Sequence, residues 1–140
     1  MGLLIEYFAA PSDTAATRLL DRGPGDDGIQ VPDFDPAIVL TPLESALTGV
    51  DEDTILDNPR LSDPIAENDG STIFTVTDEL RDALATATPD QLAEAAEALA
   101  DLEELGGADP DALAAVLDEL ADLSRTAQAA DHHLYCWLSQ

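Results

Sequence analysis

The densest group of reactive side chains lies at residues 130–140, "ADHHLYCWLSQ". This segment holds both histidines, His132 and His133, and the single cysteine, Cys136. A nucleophilic site needs a thiol or hydroxyl beside a base, and zinc needs three or four ligands. On a strand, His133 and Cys136 would point to opposite faces. We therefore predict no catalytic or metal-binding residue here. His132 is expected near the end of the preceding helix, where its imidazolium would interact favourably with the C-terminal end of the helix dipole. Cys136 is expected to be a buried apolar residue.

Aromatic residues in both terminal segments are the candidate partner-binding residues. Tyr135 and Trp137 share one face of the expected last strand, and the leucines and the cysteine beside them share the other. Tyr7 lies in a similar N-terminal segment, "LLIEYF". One face is expected to be core, whereas the other is either a cover for a helix or an exposed patch. If the patch is exposed, Tyr7, Tyr135 and Trp137 could anchor a partner, and a homodimer would be favoured.

Three other segments resemble ligand-binding loops without meeting their requirements. Residues 23–28, "GPGDDG", have the spacing of a dinucleotide fingerprint, but a helix is expected before them, and their two aspartates would repel phosphate. Residues 51–57 and 67–70 are acidic, yet neither has the ligand and glycine spacing of an EF-hand loop. Residues 23–28 are predicted to be a surface turn, and the two acidic segments are interpreted as loops, of which the first permits a short turn of helix before Pro59. No cofactor is expected.

The charge of the chain is extreme. Thirty acidic residues stand against five arginines, and lysine is absent, which gives a formal net charge of −25. Nucleic-acid binding is not expected, because phosphate neutralisation by basic residues supplies most of its affinity. Acid pairs such as Glu103–Glu104 are expected on solvated helix faces, whereas acid–base catalysis needs carboxylates in unequal, partly apolar environments. The acidity has three interpretations: solvation, a salt-loving or GC-rich host, and an acidic face for a partner.

Local signals predict a small sheet with an αα-hairpin before its last strand. Strands are expected near 3–8, 71–77 and 134–138, where residues are β-branched, aromatic or alternating in polarity. Leucines at helical spacing, with acids on the other side, predict two helices over 89–129, and the alanines between the leucines permit close packing. The first of these helices is expected to run to about Leu105, where a short link that begins with Gly106 and Gly107 joins it to the second. The fold class is therefore α+β: a small mixed or antiparallel sheet that includes both terminal strands and is covered by helices.

Capping residues predict where the helices begin. A first helix is expected from Ser12 or Asp13 to Gly23. A second is expected from Thr41 to Gly49, with Glu44 three residues after the cap, at the capping-box position. Residues 57–70 are expected to be a loop that closes in a tight turn. The remaining helices are expected to begin at caps that precede acidic or proline residues: Thr77, Thr88 with a capping box to Gln91, and Asp109.

Length and composition bound the class of protein. At 140 residues without an obvious linker, the chain is expected to form a single domain, 1–140. One cysteine cannot form an intramolecular disulfide, and no apolar run approaches the eighteen or so residues of a membrane helix. The apolar N-terminal segment lacks the basic region of a signal peptide. We expect a cytoplasmic protein that does not associate with membranes.

Three segments together resemble a known family. "MGLLIEYFAAPSDTAA", "VTDELRDALA" and "LYCWLSQ" are similar to segments of an uncharacterised family of small acidic actinobacterial proteins. The resemblance covers both ends and the middle of the chain. The family region that corresponds to 92–107 is often aromatic, whereas here it consists of alanine, leucine and acidic residues. The resemblance implies a bacterial cytoplasmic protein and carries no functional residues with it.

The sequence therefore favours a non-catalytic protein-interaction or regulatory module, whose partner is a protein with a basic face. The alternative is a small enzyme that uses carboxylates or the His132–Cys136 segment. A structural or storage role without a specific ligand is the third interpretation.

Overall fold

The computed structural model describes residues 4–25, 28–31, 34–105 and 108–139. Its five strands are Leu4–Ala10 (β1), Ile29–Gln30 (β2), Pro64–Glu67 (β3), Ser71–Thr75 (β4) and His133–Ser139 (β5). They form one sheet in the order β2-β1-β5-β4-β3, and every pair is antiparallel. The prediction that both terminal strands belong to one sheet is confirmed, and β5 is its central strand.

Six α-helices accompany the sheet in the described part of the chain. They are Asp13–Thr17 (α1), Pro36–Thr48 (α2), Glu52–Leu56 (α3), Asp78–Thr86 (α4), Pro89–Ala100 (α5) and Pro110–Ala130 (α6). Helices α5 and α6 pack against each other, and α4 packs against α6. The predicted α+β class and the αα-hairpin before the last strand are therefore confirmed. Gly106 and Gly107 of the predicted link lie outside the described residues.

The main core lies between the sheet and the helices α2, α4, α5 and α6. Tyr7, Leu134 and Cys136 face it from the sheet, and Leu43 and Leu117 are among the helical residues that pack there. The alanines predicted to permit close packing do so, since Ala95, Ala96 and Ala121 are buried in this cluster.

A second, smaller core covers the opposite side of the sheet. Phe8, Tyr135 and Trp137 lie there, packed against Leu20 beyond α1 and Ile65 of β3. The central strand β5 is therefore buried on both faces. This arrangement explains why both alternating sets of its side chains are apolar or aromatic.

Several predicted caps are confirmed by their hydrogen bonds. Thr77 accepts from the backbone N–H of Leu80 at 3.1 Å. Thr88 and Gln91 form the predicted capping box, with reciprocal bonds of 2.9 and 3.2 Å. Helix α2 ends at Gly49, whose φ of 74° is left-handed and suits a glycine.

The predicted start of the second helix is wrong. The helix begins at Pro36, because Asp35 caps it by accepting from the N–H of Ala37 at 2.9 Å. Pro42 consequently lies inside the helix, where its missing N–H removes a backbone hydrogen bond. Starting at Thr41 would leave Val39 and Leu40 out of the helix, and both are buried in the main core. We infer that this burial outweighs the proline defect.

The expected loop over 57–70 is also wrong, because it contains β3. This strand begins at Pro64, lies at the sheet edge and shifts register between Pro64 and Ala66. A short, bulged edge strand has little local signal, since it is defined by its partner. Two helices are shorter than expected: α1 ends at Thr17, and α5 ends at Ala100 before a 3-10 turn at Glu103–Leu105.

Candidate functional site

The three candidate partner-binding side chains are buried. Tyr7 is 1% exposed, Tyr135 0% and Trp137 6%. The hydroxyl of Tyr7 donates to the carbonyl of Phe34 at 2.8 Å, and the indole of Trp137 donates to the carbonyl of Leu20 at 2.8 Å. No exposed aromatic face is thus offered by these three residues, and the reason for expecting a homodimer there is removed.

Tyr135 is held by a small polar network at the edge of the second core. Its hydroxyl donates to Asp13 at 2.7 Å, and Arg60 pairs with the same carboxylate at 2.8 Å. The bond from Arg60 is the main reason that the pKa of Asp13 is lowered, while burial raises the pKa of Tyr135. The Tyr135 ring stacks on Phe8 with centroids 5.5 Å apart. These contacts use both the hydroxyl and the ring of Tyr135 within the fold.

The His132–Cys136 segment does not converge on one site. His132 follows the left-handed cap of α6 at Asp131, so it lies at the helix end as predicted. His133 Nδ1 lies 2.8 Å from a carboxylate oxygen of Asp78. Arg81 donates to the carbonyl of His132 at 2.7 Å. Cys136 faces the main core, and burial raises the pKa of its thiol, so the reactive thiolate is disfavoured.

A cavity of about 490 Å³ lies elsewhere, between α2, α3 and the first turn of α4. We call it the Glu44 cavity. Its lining combines carboxylates, an amide, hydroxyls and apolar side chains: Glu44, Thr48, Val50, Thr54, Ile55, Asp57, Asn58 and Glu79. Binding pockets for small groups are about 300–1,000 Å³ and mix apolar walls with a few polar groups. The size and lining of this cavity fall within that description.

The end of α2 shapes one wall of the Glu44 cavity. Gly49 turns the chain out of the helix, and two bonds then fix the residue that follows it. Ser45 donates its hydroxyl to the carbonyl of Val50 at 2.8 Å, and the N–H of Val50 donates to the hydroxyl of Thr48 at 3.1 Å. Val50 is thereby held at the mouth of the cavity.

Glu44 is the buried carboxylate of the cavity, with only 4% of its surface exposed. Thr77 donates its hydroxyl to Oε1 of Glu44. Burial raises the pKa of Glu44, and the nearby charge of Glu79 raises it further. Its other oxygen, Oε2, accepts no hydrogen bond from the described residues, and yet no fully buried polar atom among them lacks a partner. Oε2 is therefore not fully buried.

The rim of the cavity is both acidic and apolar. Glu79 is exposed and accepts from the amide of Asn58 at 3.1 Å. Val50 is 38% exposed, and Leu56, next to the lining residue Ile55, is 59% exposed. Only one other large apolar side chain in the described residues, Leu4, is comparably exposed. Of these three exposed apolar side chains, Val50 lines the cavity and Leu56 follows a lining residue in sequence.

Sequence reasoning missed this site because it assigned Glu44 to a capping box. In the longer helix, Glu44 follows Leu40 by four residues and Leu43 by one, and both leucines are buried. An acid on the apolar stripe of an amphipathic helix is the signal that could have found it. The companion residues come from three elements, which no local pattern could bring together.

The remaining loop predictions concern possible cofactors and metals. Asp26 and Asp27 of the "GPGDDG" segment lie outside the described residues. Within the described ranges, no cluster of three or more His, Cys, Asp or Glu side chains is arranged to hold a metal ion. None of the helices found there is long and apolar enough to cross a membrane.

Comparison with protein-family models, with curated proteins and with solved structures finds no match. The resemblance to small acidic actinobacterial proteins therefore stays a prediction.

Proposed function

We propose that the protein is a non-catalytic interaction module that binds a partner protein through a basic face of that partner. The single observation that carries the proposal is an acidic surface left uncompensated by the arginines. Arg60 pairs with Asp13, and Arg125 pairs with Asp122 at 2.6 Å. Arg81 is similarly engaged by two aspartates of α4. At least three of the five arginines thus neutralise their own neighbours.

The exposed sides of α5 and α6 carry seven acidic residues. Their leucines and some of their alanines face the main core, whereas the acids are exposed. We call the exposed acids of these two helices the acidic helix face: Asp90, Glu94, Glu97, Asp111, Asp118, Glu119 and Asp122. A basic partner would gain in association rate from this field, and the gain would fall with added salt.

The test compares two variants of equal charge. Glu94→Gln, Glu97→Gln and Asp118→Asn together remove three of the seven negative charges of the acidic helix face. Asp63→Asn, Glu67→Gln and Asp69→Asn remove as many charges at exposed positions of the β3 hairpin. Each tagged protein captures partners from a lysate of the source organism at low and high salt. The proposal expects one partner that cross-links to α5 or α6 at low salt and is lost only with the first variant.

Capture of no such partner at low salt, or equal loss with both variants, would contradict the proposal. The second outcome would show that net charge, rather than a defined face, causes the retention.

A small enzyme is the second candidate, and one observation favours it. Glu44 and Glu79 line one cavity, but Glu44 is buried and Glu79 is exposed. Carboxylates in unequal environments are the usual arrangement for acid and base roles. If the protein is an enzyme of this kind, we expect it to hydrolyse at least one member of a panel of chromogenic glycosides and esters, and we expect Glu44→Gln to lose that activity. Activity that survives Glu44→Gln would contradict the enzyme candidate.

A further inference from the structure

We propose that the Glu44 cavity binds the guanidinium group of an arginine side chain on the partner protein. This inference rests on the proposed function and adds a specific contact to it. Glu44, Asp57 and Glu79 contribute carboxylates to the lining, and no basic residue of the described chain lines the cavity. The electrostatics of the cavity therefore select a cation.

The free oxygen of Glu44 is the observation that points to a ligand. Thr77 satisfies Oε1, while Oε2 receives no donor from the described residues and is not fully buried, on a residue that lines the cavity. A buried carboxylate is stabilised by a cation that also donates hydrogen bonds. Hydrogen bonds to charged groups are stronger than bonds between neutral groups, so a donor at Oε2 would contribute strongly to affinity.

The mixed lining favours a guanidinium over other cations. Arginine presents five donors in a planar fork, is less strongly hydrated than lysine, and carries an apolar stem. The guanidinium could donate to two carboxylates, that of the buried Glu44 and that of the exposed Glu79. The apolar stem could pack against Val50 and Ile55. A bare metal ion fits less well, since the described acids do not form a three-ligand cluster. The cavity volume of about 490 Å³ also suits an organic group.

The exposed apolar rim argues that the cation belongs to a protein rather than to a free small molecule. Val50 lines the cavity and would remain partly in water around a small ligand, but a polypeptide surface around the arginine would cover it. Interface anchors are commonly arginines in pockets ringed by apolar contacts that exclude water.

The experiment uses a blocked pentapeptide, Gly-Gly-Arg-Gly-Gly, as the probe for the full-length protein. Two matched peptides carry citrulline, which is neutral and of similar shape, or lysine in place of arginine. Shifts of the NMR signals of Thr48, Val50, Thr54 and Ile55 are followed at constant ionic strength. We expect saturable shifts with the arginine peptide, about tenfold weaker binding with citrulline, and weaker binding with lysine.

Variants locate the binding within the cavity. Glu44→Gln should weaken binding of the arginine peptide about tenfold, because it removes the buried charge but retains an acceptor for Thr77. Glu97→Gln removes one exposed acid from α5 and should change affinity less than twofold, a screened surface effect. If Glu44→Gln does not fold, Glu79→Gln at the exposed rim tests the inference instead. We expect it to lower the affinity for the arginine peptide about threefold.

Equal binding of arginine and citrulline, a preference for lysine, or unchanged affinity in Glu44→Gln and Glu79→Gln would overturn the inference. So would shifts that are confined to α5 and α6. The proposed function is tested separately by partner capture. If the partner is lost with the triple variant of the acidic helix face but kept by Glu44→Gln, the interaction function stands and the cavity assignment falls.

Discussion

Glu44 illustrates how a single residue departs from what its sequence neighbours predict. The local pattern indicated a capping role after Thr41, whereas the structure buries its carboxylate beside Thr77. Placement of a charge on the apolar stripe of α2 is costly to stability unless a partner compensates it. A residue that breaks the pattern in this way is a good functional candidate, because functional sites often conflict with stability.

The first prediction concerns the pH dependence of stability in Glu44→Gln. The pKa of Glu44 is raised in the folded state above the ordinary value of 4.5, so the folded protein binds this proton more tightly than the unfolded chain does. Its stabilising contribution is full below pH 4.5 and is lost as pH rises through the folded pKa. Glutamine does not titrate, so we expect the variant to gain stability relative to the wild type as pH increases from 4.5 toward 7.

Urea unfolding of both proteins across this pH range measures the effect. The two proteins differ only at this carboxylate, so the difference in free energy of unfolding as pH changes reports the ionisation of Glu44 and its interaction with the charge of Glu79. A difference that is constant with pH, or that grows in favour of the wild type, would show that the carboxylate is not disfavoured by burial.

The burial of Trp137 and Tyr135 could not be read from their segment. Alternation assigned them correctly to one face of β5, opposite Leu134 and Cys136. Whether that face is covered depends on the turn after α1 and on Ile65 of β3, which are distant in sequence. Local patterns give the face of a strand, whereas its cover is a long-range contact.

The second prediction tests this cover at Gly23. A Cβ added there would lie 3.0 Å from the Trp137 ring, and the residue also has a left-handed φ of 77°. Gly23→Ala should therefore destabilise the fold by about 1–3 kcal/mol and alter tryptophan fluorescence. Gly25→Ala is the matched control, because φ is 64° but no atom lies within 4 Å of its Cβ. Equal losses in both variants would attribute the whole effect to backbone conformation and none to contact with Trp137.

At the scale of elements, caps were the most reliable signals. Thr77 and Thr88 begin α4 and α5 as predicted, since their hydroxyls satisfy helical N–H groups without help from distant residues. The start of α2 was missed because Asp35-Pro36 offers an equivalent cap six residues before Thr41-Pro42. Choosing between two such starts requires knowing that Val39 and Leu40 are buried.

The third prediction is that Thr88→Ala lowers the free energy of unfolding by about 1 kcal/mol. The substitution removes both the acceptor for the N–H of Gln91 and the pairing of the capping box. Thr86→Ala is a suitable control, because this exposed residue caps no helix and donates only to carbonyls of its own helix. Chemical denaturation measures both variants. A loss for Thr86→Ala as large as that for Thr88→Ala would show that the box contributes nothing specific.

At the scale of the whole molecule, the net negative charge is too large for the five arginines to neutralise. The accessible surface of 7299 Å² leaves about 290 Å² for each of the 25 net negative charges, which places them about 17 Å apart. The Debye length is about 30 Å at 0.01 M salt and about 8 Å at 0.15 M. Repulsion across the surface is therefore extensive at low salt and mostly screened at physiological salt.

The fourth prediction follows from these two lengths. We expect urea unfolding midpoints to rise with NaCl, because screening relieves self-repulsion in the compact state. Most of the rise should occur between about 0.01 and 0.15 M, where the Debye length falls below the charge spacing. Potassium chloride should act equally, since screening depends on ionic strength and not on the identity of the cation. The Glu94, Glu97 and Asp118 triple variant should respond less, because it carries three fewer negative charges. A response that continues to grow in molar salt, or that differs between sodium and potassium, would instead identify cation binding as the source of stabilisation.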